Sequence, residues 1–247
     1  MLKYAVIGLG RFGSTLARRL GEYGAEVIAI DVSEERVSAV RDHVAVALSM
    51  DGTDERLLRE QGVHEVDVAV VGMGESFEAT QLTTVVLKRM GVKRIVVKSV
   101  DPLHEKIIRR LGATEVVSPE RESAVRLAQV LSVPRLIDYI ELSEGHSLVQ
   151  LNAPEKFHGK TIRELDVRNV YGINIVAIKK RKEVVRKAEG QEGHDAEGGD
   201  AKDDSGEGKQ PTYEEKLVDV PSPNDVIDPL DILMVTGADT DISRFAN

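Results

Sequence analysis

Cysteine and tryptophan are absent from the 247 residues, and aromatic residues make up only 4%. Without cysteine there are no disulfides, no thiolate metal sites and no cysteine nucleophile. Long hydrophobic runs are missing too. The apolar stretch around Val66–Val71 is far too short to span a bilayer. The first residues show no basic start followed by a long apolar run, so no secretory signal is expected. Positive charge is in short supply: Lys and Arg number 33 against 42 Asp and Glu, a net charge of −9. Such a balance repels phosphate backbones and argues against nucleic-acid binding as the main task. It gives no reason to expect binding to anionic lipid. The simplest expectation is a soluble cytoplasmic protein. Its length allows one large domain or two smaller ones with a real core.

What is present is a rhythm of short apolar runs and longer helical patterns over residues 1–119. Runs near Lys3–Gly8, Ala25–Asp31, Val44–Ser49, Val66–Val71, Lys93–Lys98 and Thr114–Val117 read as strands. Phe12, Leu16, Leu20 and Tyr23 recur at helical spacing between the first two. Further helices are expected from Ser33, Asp54, Phe77 and Pro102, with Ser33 and Asp54 as N-caps. Six βα units predict an α/β domain, a doubly wound parallel sheet of Rossmann type with helices on both faces. A linking helix follows within 120–134, with Ala124, Leu127, Ala128 and Leu131 spaced as a packing face. Residues 135–247 are β-rich and predict a smaller α+β domain. Within it, residues 189–209 hold eight acids, six glycines and two lysines, with no large apolar side chain. Such a segment cannot bury enough apolar area to offset its ordering entropy, so a disordered acidic insertion is expected there.

The chemistry concentrates in the first strand–turn–helix. Gly8-Leu9-Gly10-Arg11-Phe12-Gly13 is G-x-G-x-x-G directly after a strand and opening a helix. Gly8 suits a tight turn, Gly10 a close approach to a pyrophosphate, and Gly13 close helix–sheet packing. The helix N-terminus offers free N–H groups to phosphates. Asp31 ends the second strand, 18 residues after Gly13, where an acid accepts hydrogen bonds from ribose hydroxyls. No arginine directly follows Asp31, so a 2′-phosphate is expected to be repelled. Spacing alone leaves Arg11 as either a phosphate partner or a solvated first-turn arginine.

Other residues gather at carboxyl ends of strands, where doubly wound sheets bind ligands. Asp51-Gly52-Thr53 follows the third strand, and Gly72-Met73-Gly74-Glu75 follows the fourth. The latter glycines also suit a plain tight turn. Lys98 ends the fifth strand and is either solvated or turned to phosphates. The chain has no Tyr-x-x-x-Lys, no HExxH and no G-x-S-x-G, and its six histidines show no metal-ligand spacing. A cofactor fold without hydride-transfer apparatus favours a sensor, with an NAD-dependent oxidoreductase as the alternative.

The segments AVIGLGRFG, VIAID, MDGTDERLL, VVGMGESFEATQLTTVVLK, VVKS, HEKIIRRLGATEVVSPE and LSVPRLIDYIELSEGHSLVQL carry a family resemblance. The chain resembles the cytosolic RCK (KTN) regulatory subunits of bacterial Ktr/Trk potassium transporters, over nearly its whole length except the acidic insertion. The resemblance implies homodimers that assemble into an octameric ring beneath an integral-membrane channel subunit at the inner face of the cell membrane. It implies that ATP and ADP, and in some members NAD(H), bind the cleft and reshape the ring. It implies that Arg11 reaches a terminal phosphate in the neighbouring subunit. Asp31, Val32 and Ser33 would line the ribose, and Asp51 and Gly52 would lie beside the adenine. Met73, Gly74 and Glu75 would form the next loop, and Lys98, Ser99, Val100 and His104 the far wall. His104 is equally an ordinary surface histidine. Glu120 would help hold a divalent cation, Mg2+ or Ca2+, between paired nucleotides. By its chemistry alone it is equally an N-terminal helix acid. Some members also bind cyclic di-AMP in the C-terminal domain, and no residue in this sequence decides that point.

Overall fold

The computed structural model describes residues 1–74, 76–184 and 212–247. Glu75 and the expected acidic insertion, 189–209, lie outside the described residues. The chain divides into two compact units, Met1–Ser123 and Ala124–Asn247.

The first unit is built on six parallel strands: β1 (Lys3–Ile7), β2 (Glu26–Asp31), β3 (Val46–Ser49), β4 (Val68–Val71), β5 (Arg94–Lys98) and β6 (Glu115–Val117). Their order is β3-β2-β1-β4-β5-β6, that of a Rossmann-type doubly wound sheet. The inner strands are apolar on both faces. Ala5 and Ile7 of β1 join one core with Ile28, Ile30, Leu58, Leu87 and Ile95. Val6, between them, joins the opposite core with Ala17, Val27, Ala29 and Val37. Side-chain direction alternates along a strand, so continuous apolar runs need helices on both sides. Those helices are α1 (Arg11–Glu22), α2 (Glu34–Ser38), α3 (Glu55–Glu60), α4 (Phe77–Arg89) and α5 (Pro102–Leu111). The order reverses at β1, which sits between β2 and β4 and opens a crevice at the carboxyl edge.

Helix α6 (Pro119–Ser132) crosses the division between the units. None of its residues is buried, so the expected packing face finds no full cover among the described residues. Val125, Leu127 and Leu131 are among its exposed apolar side chains.

The second unit holds β7 (Leu136–Ser143), β8 (His146–Asn152), β9 (Asn174–Val184), β10 (Thr212–Val218) and β11 (Ile232–Ala238). They form an antiparallel sheet in the order β10-β9-β11-β8-β7. Helix α7 (Ile162–Leu165) starts with a capping box of Thr161 and Glu164. Helices α8 (Val167–Tyr171) and α9 (Asp239–Ala246) follow. Phe157, Tyr171 and Phe245 pack as an aromatic cluster, with Phe157 and Phe245 at 4.7 Å between centroids. Neither α8, α9 nor β10 is anticipated by the sequence pattern.

Candidate functional site

A cavity of about 470 Å³ opens in the first unit, at the carboxyl ends of its strands. Its size suits a cofactor or nucleotide. Its centre is the turn between β1 and α1. Gly8 has φ +94°, and a side chain there would collide with Met73 and the backbone of Gly72. A Cβ at Gly13 would run into the Gly8 carbonyl oxygen. At Gly10 a Cβ would meet nothing within 4 Å, so that face of the turn is open.

Helix α1 begins differently from its neighbours. Ser33 caps α2, Asp54 caps α3, Ser76 caps α4 and Asp101 caps α5, each accepting from a backbone N–H. The N-cap of α1 is Gly10, with no side-chain cap and no acid in the first turn. Its leading N–H groups and the positive end of its dipole are therefore left for an external anion.

Asp31 lies at the end of β2 and is buried, at 6% exposure. One carboxylate oxygen accepts from the Leu9 N–H at 2.6 Å, and the other from the Ser33 N–H at 2.9 Å. It thereby braces the glycine turn and the start of α2 together. Arg36 stands 3.6 Å from Asp31 and also lines the cavity. The Asp31 carboxylate is thus partly neutralised, a balance that adjacent residues in the sequence do not disclose.

Two threonines of α4 hold the neighbouring loops. The Thr83 hydroxyl donates to the Gly52 carbonyl at 3.0 Å, and that of Thr80 to the Met73 carbonyl at 2.6 Å. Both are buried. They fix the turns after β3 and β4 from behind. Asp51 accepts from both the N–H and the hydroxyl of Thr53.

At the β5 end, Lys98 lies 2.6 Å from Glu120 and 5.9 Å from the Phe12 ring centroid. The Glu120 carboxyl is held below the usual carboxylate range. The hydrogen bond from Lys98 is the main cause, with its own backbone N–H and the charges of Lys98 and Arg11 adding to it.

Of the residues expected from the sequence, Gly8, Gly10, Arg11, Phe12, Asp31, Val32, Asp51, Gly52, Met73, Gly74, Lys98, Val100 and Glu120 line one cavity. Gly13, Ser33 and Ser99 stand outside that lining. Gly13 and Ser33 support it, one by letting α1 approach the turn and the other by capping α2. Ser99 is buried and donates to the Asp101 carbonyl at 2.9 Å. His104 also stands outside the lining, with its ring stacked on Phe77 at 3.6 Å. Its Nδ1 lies 2.8 Å from the Asp101 carboxylate. Gly72 of the turn after β4 lines it too, and Ile7, Ile30, Arg36, Met50, Ser76 and Ala79 complete the described lining without having been singled out. Only Arg36 carried a usable signal, as a cation one turn into the helix that follows the acid.

The TrkA-N domain family model matches residues 4–119. The Ktr system potassium uptake protein C of Bacillus subtilis (strain 168) is 39% identical over 243 residues, covering 98% of this chain and 95% of that protein. The chain belongs to the Ktr potassium uptake protein family. The Ktr system potassium uptake protein A of the same organism is 32% identical, covering 99% of this chain and 96% of its own length. The Ktr fold is also seen in the crystal structure of the GsuK RCK domain, with a TM-score of 0.61 at 15% identity, covering 100% of this chain and 48% of that one. No helix among the described residues is long and apolar enough to cross a membrane.

Proposed function

We propose that this chain is the nucleotide-sensing gating subunit of a potassium uptake system. It would bind ATP or ADP, and NAD(H) as a further ligand, in the cavity of the first unit. The observation that carries this reading is the uncapped N-terminus of α1, facing a cavity with Asp31 at one end and Lys98 at the other. The adenosine would lie toward Asp31, Val32 and Asp51, and its phosphates on the open face of Gly10. Arg11 is exposed on this rim, free to meet a phosphate of its own or of a neighbouring copy. The described lining includes no histidine or tyrosine, which supports reading a nucleotide rather than transferring hydride to a substrate.

Gating then needs only differential affinity. ATP and ADP differ in charge beyond the second phosphate. If one ring conformation contacts that extra charge and the other does not, ATP shifts the population. A coupling of about 1–3 kcal/mol changes the balance 5–150-fold. The bare apolar side chains of α6 support a contact with a second copy. On this reading such dimers build an octameric ring that docks on a membrane channel subunit from the cytoplasm. The divalent cation is less well supported. Among the described residues no group of three or more His, Asp or Glu could hold a metal. Glu120 pairs with Lys98 and, among the described residues of one chain, belongs to no such group.

Calorimetric titration of the purified protein with ATP, ADP and NADH tests the reading, together with ring dimensions from electron microscopy. Tight binding, with ring dimensions that differ between ATP and ADP, is expected. Equal stabilisation by both nucleotides with unchanged dimensions would reduce the ligand to a structural filler.

A further inference from the structure

Lys98 meets any ligand with a partner already in place. Its ammonium sits 2.6 Å from the Glu120 carboxylate, yet the two side chains differ sharply in exposure, 14% for the lysine and 69% for the glutamate. The lysine stem packs over Gly74, where a Cβ would touch both its Cε and Nζ at 3.5 Å. Lys98 is therefore fixed and partly desolvated, and it needs an anion. Glu120 is not fixed in the same way. It belongs to the first turn of α6 and faces water, where the helix N-terminus still favours its charge. Separating the pair costs the glutamate little, provided that another anion takes the lysine.

Place along the cavity decides which ligands can do so. Asp31 ends β2 on one side of the glycine turn, and Lys98 ends β5 on the other. A nucleotide held at Asp31 and at the turn reaches Lys98 only with whatever follows its turn-bound phosphate.

We propose that Lys98 selects ligands by the charge they carry beyond the glycine turn, with Glu120 as its built-in competitor. A terminal phosphate takes Lys98 from Glu120, and an uncharged group does not. This rests on the nucleotide-sensing reading and adds to it a contact within one chain, separate from any role of Arg11 toward a neighbouring copy. The same exchange frees the Glu120 side chain in the first turn of α6, while Ser118 keeps its hydrogen bond to the Ser99 carbonyl.

A double-mutant cycle on the full chain tests it, with EDTA present so that no divalent cation contributes. Lys98→Met, Glu120→Gln and the double variant are titrated with ATP, ADP, AMP and NADH, after thermal melting has confirmed folding. Glu120→Gln should tighten ATP about fivefold and leave AMP and NADH within about twofold. Lys98→Met should weaken ATP about tenfold, and in that background Glu120→Gln should change ATP affinity by less than about twofold. Lys98→Arg, which keeps the charge, should retain most of the ATP affinity. Three results overturn the proposal. They are equal tightening of all four ligands by Glu120→Gln, an undiminished Glu120→Gln effect in the Lys98→Met background, and weaker ATP binding by Glu120→Gln in EDTA. The second would mean plain charge repulsion rather than competition for the lysine. A wild-type protein that binds none of the four ligands overturns the sensor reading and this proposal with it. Firm ATP binding with a flat cycle removes Lys98 alone.

Discussion

In the first unit Lys98 meets Glu120 at 2.6 Å, and in the second unit Lys180 meets Asp231 at 2.7 Å and Asp228 at 2.8 Å. The contacts are nearly equal in length, and the settings are opposite. Glu120 is 69% exposed, whereas the Asp231 side chain is fully buried. Asp231 also accepts from the Asp228 N–H at 2.8 Å, and Lys180 donates to the Val226 carbonyl. The C-terminal cluster thus ties β9 to the loop that leads into β11. Lys180 thus holds one buried acid and one, Asp228, that is 58% exposed. The pair at the cavity has no buried acid, and its glutamate side is open to water. Distance alone does not distinguish the two settings; the presence of a buried acid does.

Substitutions should pull the two pairs apart. Lys180→Met leaves the buried Asp231 carboxylate without its cation and should cost about 3 kcal/mol, read as a lower denaturant midpoint. A loss below about 1 kcal/mol would remove the contrast between the two pairs. The pH dependence follows the same cluster. Burial by itself would lower the Lys180 pKa, but hydrogen bonds and charge from Asp228 and Asp231 outweigh it and raise it above the ordinary 10.5. A raised folded-state pKa gives stability that is full below the unfolded value and is lost as pH rises through the folded one. Melting between pH 9 and about pH 11.5 should therefore drop more for wild type than for Lys180→Met.

The next effect concerns Asp31. Asp31→Ala removes the acceptor shared by Leu9 and Ser33, so every adenine nucleotide should bind about tenfold more weakly, with the ATP/ADP ratio preserved. Unaltered affinities on calorimetric titration would take Asp31 out of the site. Arg11→Ala should be narrower. ADP binding should hold within about twofold, while the preference for ATP falls about fivefold. An unchanged ratio in the same titration would return Arg11 to a solvated helix position. The smallest effect belongs to Glu120→Gln without ligand, where stability should move by less than about 0.5 kcal/mol in thermal melting.

The first unit was largely legible because its signals are local. Continuous apolar runs such as Val27–Ile30 mark buried parallel strands, and Ser33 and Asp54 announce their helices within three residues. The C-terminal unit hides more. Strand β10 reads Thr-Tyr-Glu-Glu-Lys-Leu-Val and keeps Tyr213 and Leu217 exposed, so it lacks the apolar face by which a strand is recognised. Its pairing with β9 holds it in place. Helix α9 is short, and its anchors Ile242, Phe245 and Ala246 make sense only against a core assembled elsewhere. The site divides in the same way. The glycine turn, Asp31 and the nearby Arg36 stand in fixed sequence order, whereas the Thr83 support of Gly52 and the Lys98–Glu120 pair arise when distant segments meet.

Because β10 ends the order of the second sheet, it pairs there with β9 alone, whereas β11 pairs with both β8 and β9. A backbone change along the rim strand therefore touches one ladder, and the same change along β11 touches two. Tolerance to substitution should rise from β11 toward β10.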